Sequence, residues 1–139
     1  MKYSPKFKIW LDQKVLIAMV KGSWDQQDAE DYSREFKAVA MPLCGNDWAN
    51  ITLLESWQLG APSIEPIIIS LVNWTIEHGL RYSAHVYQPS TIKEFQLDLM
   101  VKKVEGCFEK QQFMYPDQAF EWLASKGFCT DNQQKLAIS

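Results

Sequence analysis

The stretch from Trp48 to Val86 reads strand, helix, strand, and it limits the folds open to this chain more than any other segment. Between Ser63 and Gly79 the residues Ile64, Ile67, Ile68, Leu71, Val72 and Ile76 recur at helical spacing and form one broad apolar face. That segment is expected to be the most buried helix. Its flanks, WANITLLE before it and RYSAHVY after it, carry the β-branched and aromatic residues that suit a pleated, packed surface. A βαβ unit of this kind requires parallel pairing and a right-handed crossover.

Upstream, Lys6 to Asp12 and Val15 to Lys21 flank the turn residues Gln13 and Lys14, a β-hairpin whose lysine-bearing first strand belongs at a sheet edge. Gly22 is expected to end the second strand, and Ser23-Trp24-Asp25-Gln26 reads as a capping box. The helix that follows carries an apolar stripe of Ala29, Tyr32, Phe36, Val39 and Ala40 and is broken by Pro42 and Gly45. Glu55 to Pro62 reads as a loop from its Gly and Pro content, Ser63 as the cap of the central helix, and Gly79 as its left-handed terminator.

Thr91-Ile92-Lys93-Glu94 forms a second capping box, opening a helix to about Val104 with two apolar stripes. Ile92, Phe95 and Leu99 make one; Leu97, Met100, Val101 and Val104 make the other. One sheet contact uses only one stripe, so either the helix is deeply packed or the second set forms an oligomer or ligand surface. Cys107 to Met114 is a weaker fifth strand for the opposite edge. Tyr115-Pro116-Asp117 starts a last helix bearing Ala119, Phe120, Trp122 and Leu123, closed by Gly127, with Phe128 folding back. The order β-β-α-β-α-β-α-β-α describes an α/β domain over residues 1–128, a five-stranded mixed sheet with helical cover, and a polar tail at 129–139.

A net charge of −3 without a basic block lacks the footprint of nucleic-acid binding. The longest apolar run, Pro66 to Val72, falls well short of the ~20 residues of a membrane span. Three cysteines, Cys44, Cys107 and Cys129, without paired short spacing or a secretory signal, fit a reduced cytoplasmic setting. The six tryptophans are a surplus with functional interest.

In order and content the chain resembles the SpoIIAA-like, or STAS-like, group related to bacterial anti-sigma-factor antagonists. The residues that carry the resemblance are the hairpin ending at Gly22, the helix from Asp25 to Pro42, WANITLLE, IEPIIISLVNW, Gly79 before RYSAHVY, and the closing DQAFEWLASKGF. The resemblance implies a small, cytoplasmic, non-catalytic module without a cofactor. Its relatives act through protein partners or, in the lipid-transfer-like branch of the fold, hold apolar ligands such as a fatty acid. The antagonists carry a phosphorylatable serine in an Asp-Ser-Ser-Gly-like turn after the third strand. Here that place reads Glu55-Ser56-Trp57-Gln58-Leu59-Gly60, so Ser56 and Ser63 are phospho-site candidates by position only.

Trp24 and Trp57 follow strands at the end of the sheet where open α/β folds place ligands. With Leu59 and Tyr87 they are assigned to an apolar cleft or a partner anchor, against the plainer role of plugging the core. His78 lies near the C-terminal end of the central helix, where the dipole favours its imidazolium in a structural role, and His85 within a strand is a packing residue. Neither has metal-site or triad spacing, so no metal and no catalytic residue is assigned. Nucleotide, dinucleotide and hydrolase motifs are missing. Two readings follow: a protein-interaction module that binds a partner or a second copy, and a carrier of a small apolar ligand.

Overall fold

The structure, a computed structural model, describes residues 6–88, 90–101 and 108–131. Five strands lie in the order β1 (Phe7–Asp12), β2 (Val15–Trp24), β3 (Trp48–Gly60), β4 (Leu80–Val86), β5 (Glu109–Phe113). β1 runs antiparallel to β2, and the remaining neighbours are parallel. The sheet is therefore mixed, with the hairpin strand at one edge and β5 at the other. Parallel neighbours require crossovers, and α1 (Gln26–Ala40), α2 (Glu65–Glu77) and α3 (Thr91–Met100) provide them. All three contribute to one core, which includes Leu16, Ala18, Val20, Phe36 and Leu71. α4 (Pro116–Ser125) returns across the other face and buries Ala119, Phe120 and Leu123 against Val15, Ile17, Ile51 and Val86.

The hairpin turn forms at Gln13, which adopts a φ of 56°, and Phe128 folds back as expected, its amide donating to the Leu123 carbonyl. Asp131 donates its amide to Asp12 Oδ1, so the chain beyond α4 is tied to the first hairpin at least that far. Gly79 closes α2 with a φ of 110°, and a Cβ there would strike the Asn46 carbonyl oxygen. Glycine is required at that position.

Four local expectations are corrected. Gly22 does not end β2; with a φ of 75° it lies among register shifts that carry the pairing on to Trp24. The cap of α1 is then Asp25, not Ser23, through reciprocal bonds with Asp28 of 2.9 Å each. Glu55 to Gly60 is not a loop but the end of β3, with Ser56 opposite Lys21 and Trp57 opposite Gly22. Gly60 serves close packing, since a Cβ there would meet the buried side chain of Ile64. Ser63 does not cap α2: it lies exposed in a short 3-10 turn, and the cap residue is Ile64 without a side-chain bond.

Nor is α2 the most buried helix. Along it only Leu71 and Thr75 are buried, with Ile67, Ile68, Val72 and Ile76 half-buried and Ile69 exposed. Its inner face meets a cavity at Ile68, Leu71, Val72 and Thr75 rather than continuous packing.

The stripes of α3 are reversed. Leu97, Met100 and Val101 are buried, whereas Ile92 and Phe95 are 65% and 68% exposed and Leu99 is exposed beside them. The polar residues between the stripes explain the rotation. Gln96, itself buried, donates to the Gly60 carbonyl at 3.0 Å and accepts from the Gly60 amide at 3.1 Å; Lys93 donates to the Leu54 and Glu55 carbonyls. Burying Gln96 demands those partners, and only one helix rotation supplies them. The cap of α3 is Ser90, one residue earlier than the Thr91 expected, and Val104 lies outside the described residues.

Candidate functional site: a cavity with a polar floor

The alternation of side chains along β3 and β4 places Ile51, Ala84 and Val86 on the α4 face. The intervening residues Asn50, Thr52, Ser83 and His85 project to the other side. They pair across the strands, Asn50 with Ser83 and Thr52 with His85, so four polar residues form a compact square on the sheet. Above the square lies a cavity of about 90 Å³ whose walls come from β2, β3 and all three crossover helices. By the ~10 to 15 Å³ that one water-sized probe needs, that is room for about six to nine such positions. Trp24, Trp57, Ile68, Leu71, Leu97 and Met100 supply apolar wall, and among the described residues no lining residue carries a formal charge at pH 7.

The square is internally bonded. Asn50 donates through Nδ2 to the Leu16 carbonyl at 3.0 Å, and its Oδ1 accepts from Thr52 at 3.0 Å and from Ser83 at 2.8 Å. Ser83 Oγ lies 3.2 Å from His85 Nε2. Buried among these groups, His85 is pushed down to about 4, first by desolvation and then by the nearby charge of Lys110, with Asp98 opposing. Its imidazole is therefore neutral at pH 7. Burial raises Tyr32 well above the ordinary phenol range, against a hydrogen bond with Thr52 that lowers it. Thr75, on the α2 side, donates to the Val72 carbonyl at 2.6 Å.

Trp24 and Trp57 are brought together in the cavity wall, but as buried residues at the ends of paired strands rather than as loop aromatics. Trp24 is held by a 2.9 Å bond from Nε1 to the Lys21 carbonyl and by edge contacts with Phe7 and Tyr32. Tyr87 is buried in the same core without lining the cavity, and burial, with Glu94 and Asp98, pushes its hydroxyl up to about 12. Leu59 lies in β3 with its side chain outside the described residues. Ser56 and Ser63 are exposed and stand apart from the cavity lining. Of the α3 residues assigned to a surface, Leu97, Met100 and Val101 line the cavity.

His78 caps α2, stacked on Trp74 at 4.3 Å with Nδ1 2.7 Å from its carbonyl. Burial raises the Cys44 thiol, which disfavours the thiolate. Among the described residues no group of three His, Cys, Asp or Glu side chains is arranged to hold a metal, and no helix is long and apolar enough to cross a membrane.

Reading single residues missed Asn50, Thr52, Ser83 and Tyr32 and left His85 as packing. The signal was present in the alternation: parallel strands covered on both faces read as nearly continuous apolar runs, yet these two carry a polar residue at every second position.

The same arrangement of strands and helices occurs in an uncharacterised protein of the DUF3478 family from Shewanella loihica PV-4, described as having a SpoIIAA-like fold. The two superpose with a TM-score of 0.65 over 88% of this chain and 98% of the other, at 11% sequence identity. This chain has a SpoIIAA-like fold. The match covers nearly all of the Shewanella protein, so the likeness extends over the whole α/β unit. No protein-family model matches the sequence, and no curated protein is significantly similar to it.

Proposed function

We propose that this SpoIIAA-like protein is a STAS-like binding module that holds a small, largely apolar molecule between its sheet and its three-helix layer. The observation that carries the reading is the cavity itself: well-packed interiors close such spaces, because every unfilled volume costs dispersion contacts. A space walled by two tryptophans, aliphatic side chains and a polar floor has the composition of a ligand site. Native mass spectrometry of protein purified from cells is expected to show a bound mass of small-molecule size, absent from Val72→Phe, in which the added ring occupies the cavity. A wild-type protein that is empty and indifferent to added apolar probes sinks the reading.

A second reading, docking of a protein partner or a second copy, is supported by a different observation. Ile92, Phe95 and Leu99 are exposed together on α3. Light scattering across a concentration series tests self-association: the reading expects a mass above that of the 16.1 kDa chain that falls when Phe95 is replaced by Ser.

A further inference from the structure

We propose that the cavity selects an uncharged molecule bearing a hydrogen-bond donor, an alcohol in the simplest case, because the polar floor offers acceptors whose own protons are already committed. The inference rests on the cavity being the binding site and adds the chemistry of what it takes.

The proton count can be followed residue by residue. Asn50 Oδ1 can only accept, and it accepts from both Thr52 and Ser83, so each hydroxyl has spent its one proton there. Ser83 therefore faces His85 with a lone pair, and the 3.2 Å contact makes His85 the donor through Nε2. A neutral imidazole protonated on Nε2 carries a bare lone pair on Nδ1. That atom finds no partner among the described residues, and His85 lines the cavity. Thr75 has likewise spent its proton on the Val72 carbonyl. The cavity thus presents lone pairs of His85 and Thr52 from its floor and of Thr75 from the α2 side.

Charge sets the second restriction. With no Lys, Arg, Asp or Glu in the lining among the described residues, a carboxylate, phosphate or ammonium loses its hydration there without gaining a counter-ion. A carboxylate fails twice, since it brings further acceptors to an acceptor-rich floor. A ketone avoids the charge penalty but still brings only an acceptor. A hydroxyl meets both conditions. With room for about six to nine water-sized positions, the cavity suits a compact molecule rather than a long acyl chain.

The test uses three probes of similar size on the full chain: 1-heptanol, 2-heptanone and heptanoate, followed at pH 7.5 by tryptophan emission and by calorimetry. Selective binding means that 1-heptanol is held at least tenfold more tightly than either of the others. The nearly isosteric Thr52→Val, and separately His85→Phe, then bring the alcohol down to the level of the ketone. Near-UV circular dichroism checks that each variant is folded, and if His85→Phe is not, Thr52→Val decides. Equal binding of alcohol and ketone, unchanged by Thr52→Val, overturns the donor requirement and leaves the cavity reading standing, as does tightest binding of heptanoate. No binding of any probe overturns both.

Discussion

The two faces of the sheet are built from the same strands and have opposite interiors. On the α4 face, Val15, Ile17, Ala49, Ile51, Ala84 and Val86 meet Ala119, Phe120 and Leu123, and none is more than 2% exposed. On the three-helix face, the alternate residues of β3 and β4 are Asn50, Thr52, Ser83 and His85, and the helices leave a cavity above them. The difference is not one of helix-forming strength or apolar content, for α2 is the most hydrophobic-looking segment of the chain. It lies in which face surrenders packing. A protein with one dense face can keep polar groups and space on the other, because the dense face supplies stability that the cavity forgoes.

The largest effect of substitution is expected where packing is densest. Phe120→Ala, on the α4 face, is expected to cost about 3 to 5 kcal/mol in denaturant unfolding, since it opens a void in a sealed layer; a much smaller loss would mean that this face is not the stabilising one. The next effect belongs to the cavity face and depends on pH. His85 titrates near 6.5 when unfolded and about 4 when folded. The unfolded chain therefore binds more protons between those values. The contribution is fully present above pH 6.5 and is lost as pH falls through about 4, to a total of about 3 kcal/mol. Comparing the pH profiles of wild type and His85→Phe isolates it from the carboxylates; parallel profiles would mean that His85 is not held neutral.

A matched pair sharpens the contrast. Adding a methylene at Val15, sealed against α4, is expected to cost about 1 to 3 kcal/mol as Val15→Leu, whereas Val72→Leu, beside the cavity, changes stability by less than ~1 kcal/mol. Equal costs would mean that the two faces are packed alike. The smallest effect is expected outside both cores. Phe95→Ala on exposed α3 should leave the melting midpoint of dilute protein within the shift of about 0.5 kcal/mol typical of surface changes, and a larger loss would place that ring in an intramolecular contact.

Much of this architecture was legible in the sequence, and the failures have physical causes. Hydrophobic period and turn residues located all five strands and four helices, because those signals are local. Glu55 to Gly60 was misread because Gly60 in a strand was taken as a breaker, whereas it admits Ile64. The rotation of α3 stayed open because two apolar stripes are equivalent until Gln96 meets Gly60, a partner 36 residues away. α2 was expected deepest from its apolar face at helical spacing, but burial depends on what stands opposite, and no pattern within α2 announces a cavity. Trp24 and Trp57 were read as loop aromatics that line a cleft, anchor a partner or plug the core; they are buried strand-end residues in the cavity wall, and the loop was misplaced because β3 runs on to Gly60. The polar square escaped notice because its members are ordinary one at a time and meaningful only in register.

The Gln96 side chain imitates a neighbouring strand: it both gives to and takes from the Gly60 peptide, which otherwise has no ladder partner on that side. An amide protected by a side chain on a separate helix is released when that helix lifts, without any rupture of the sheet. Exchange of the Gly60 proton is therefore expected to gauge how large a fraction of the time α3 stands off and the chamber beneath is unlatched.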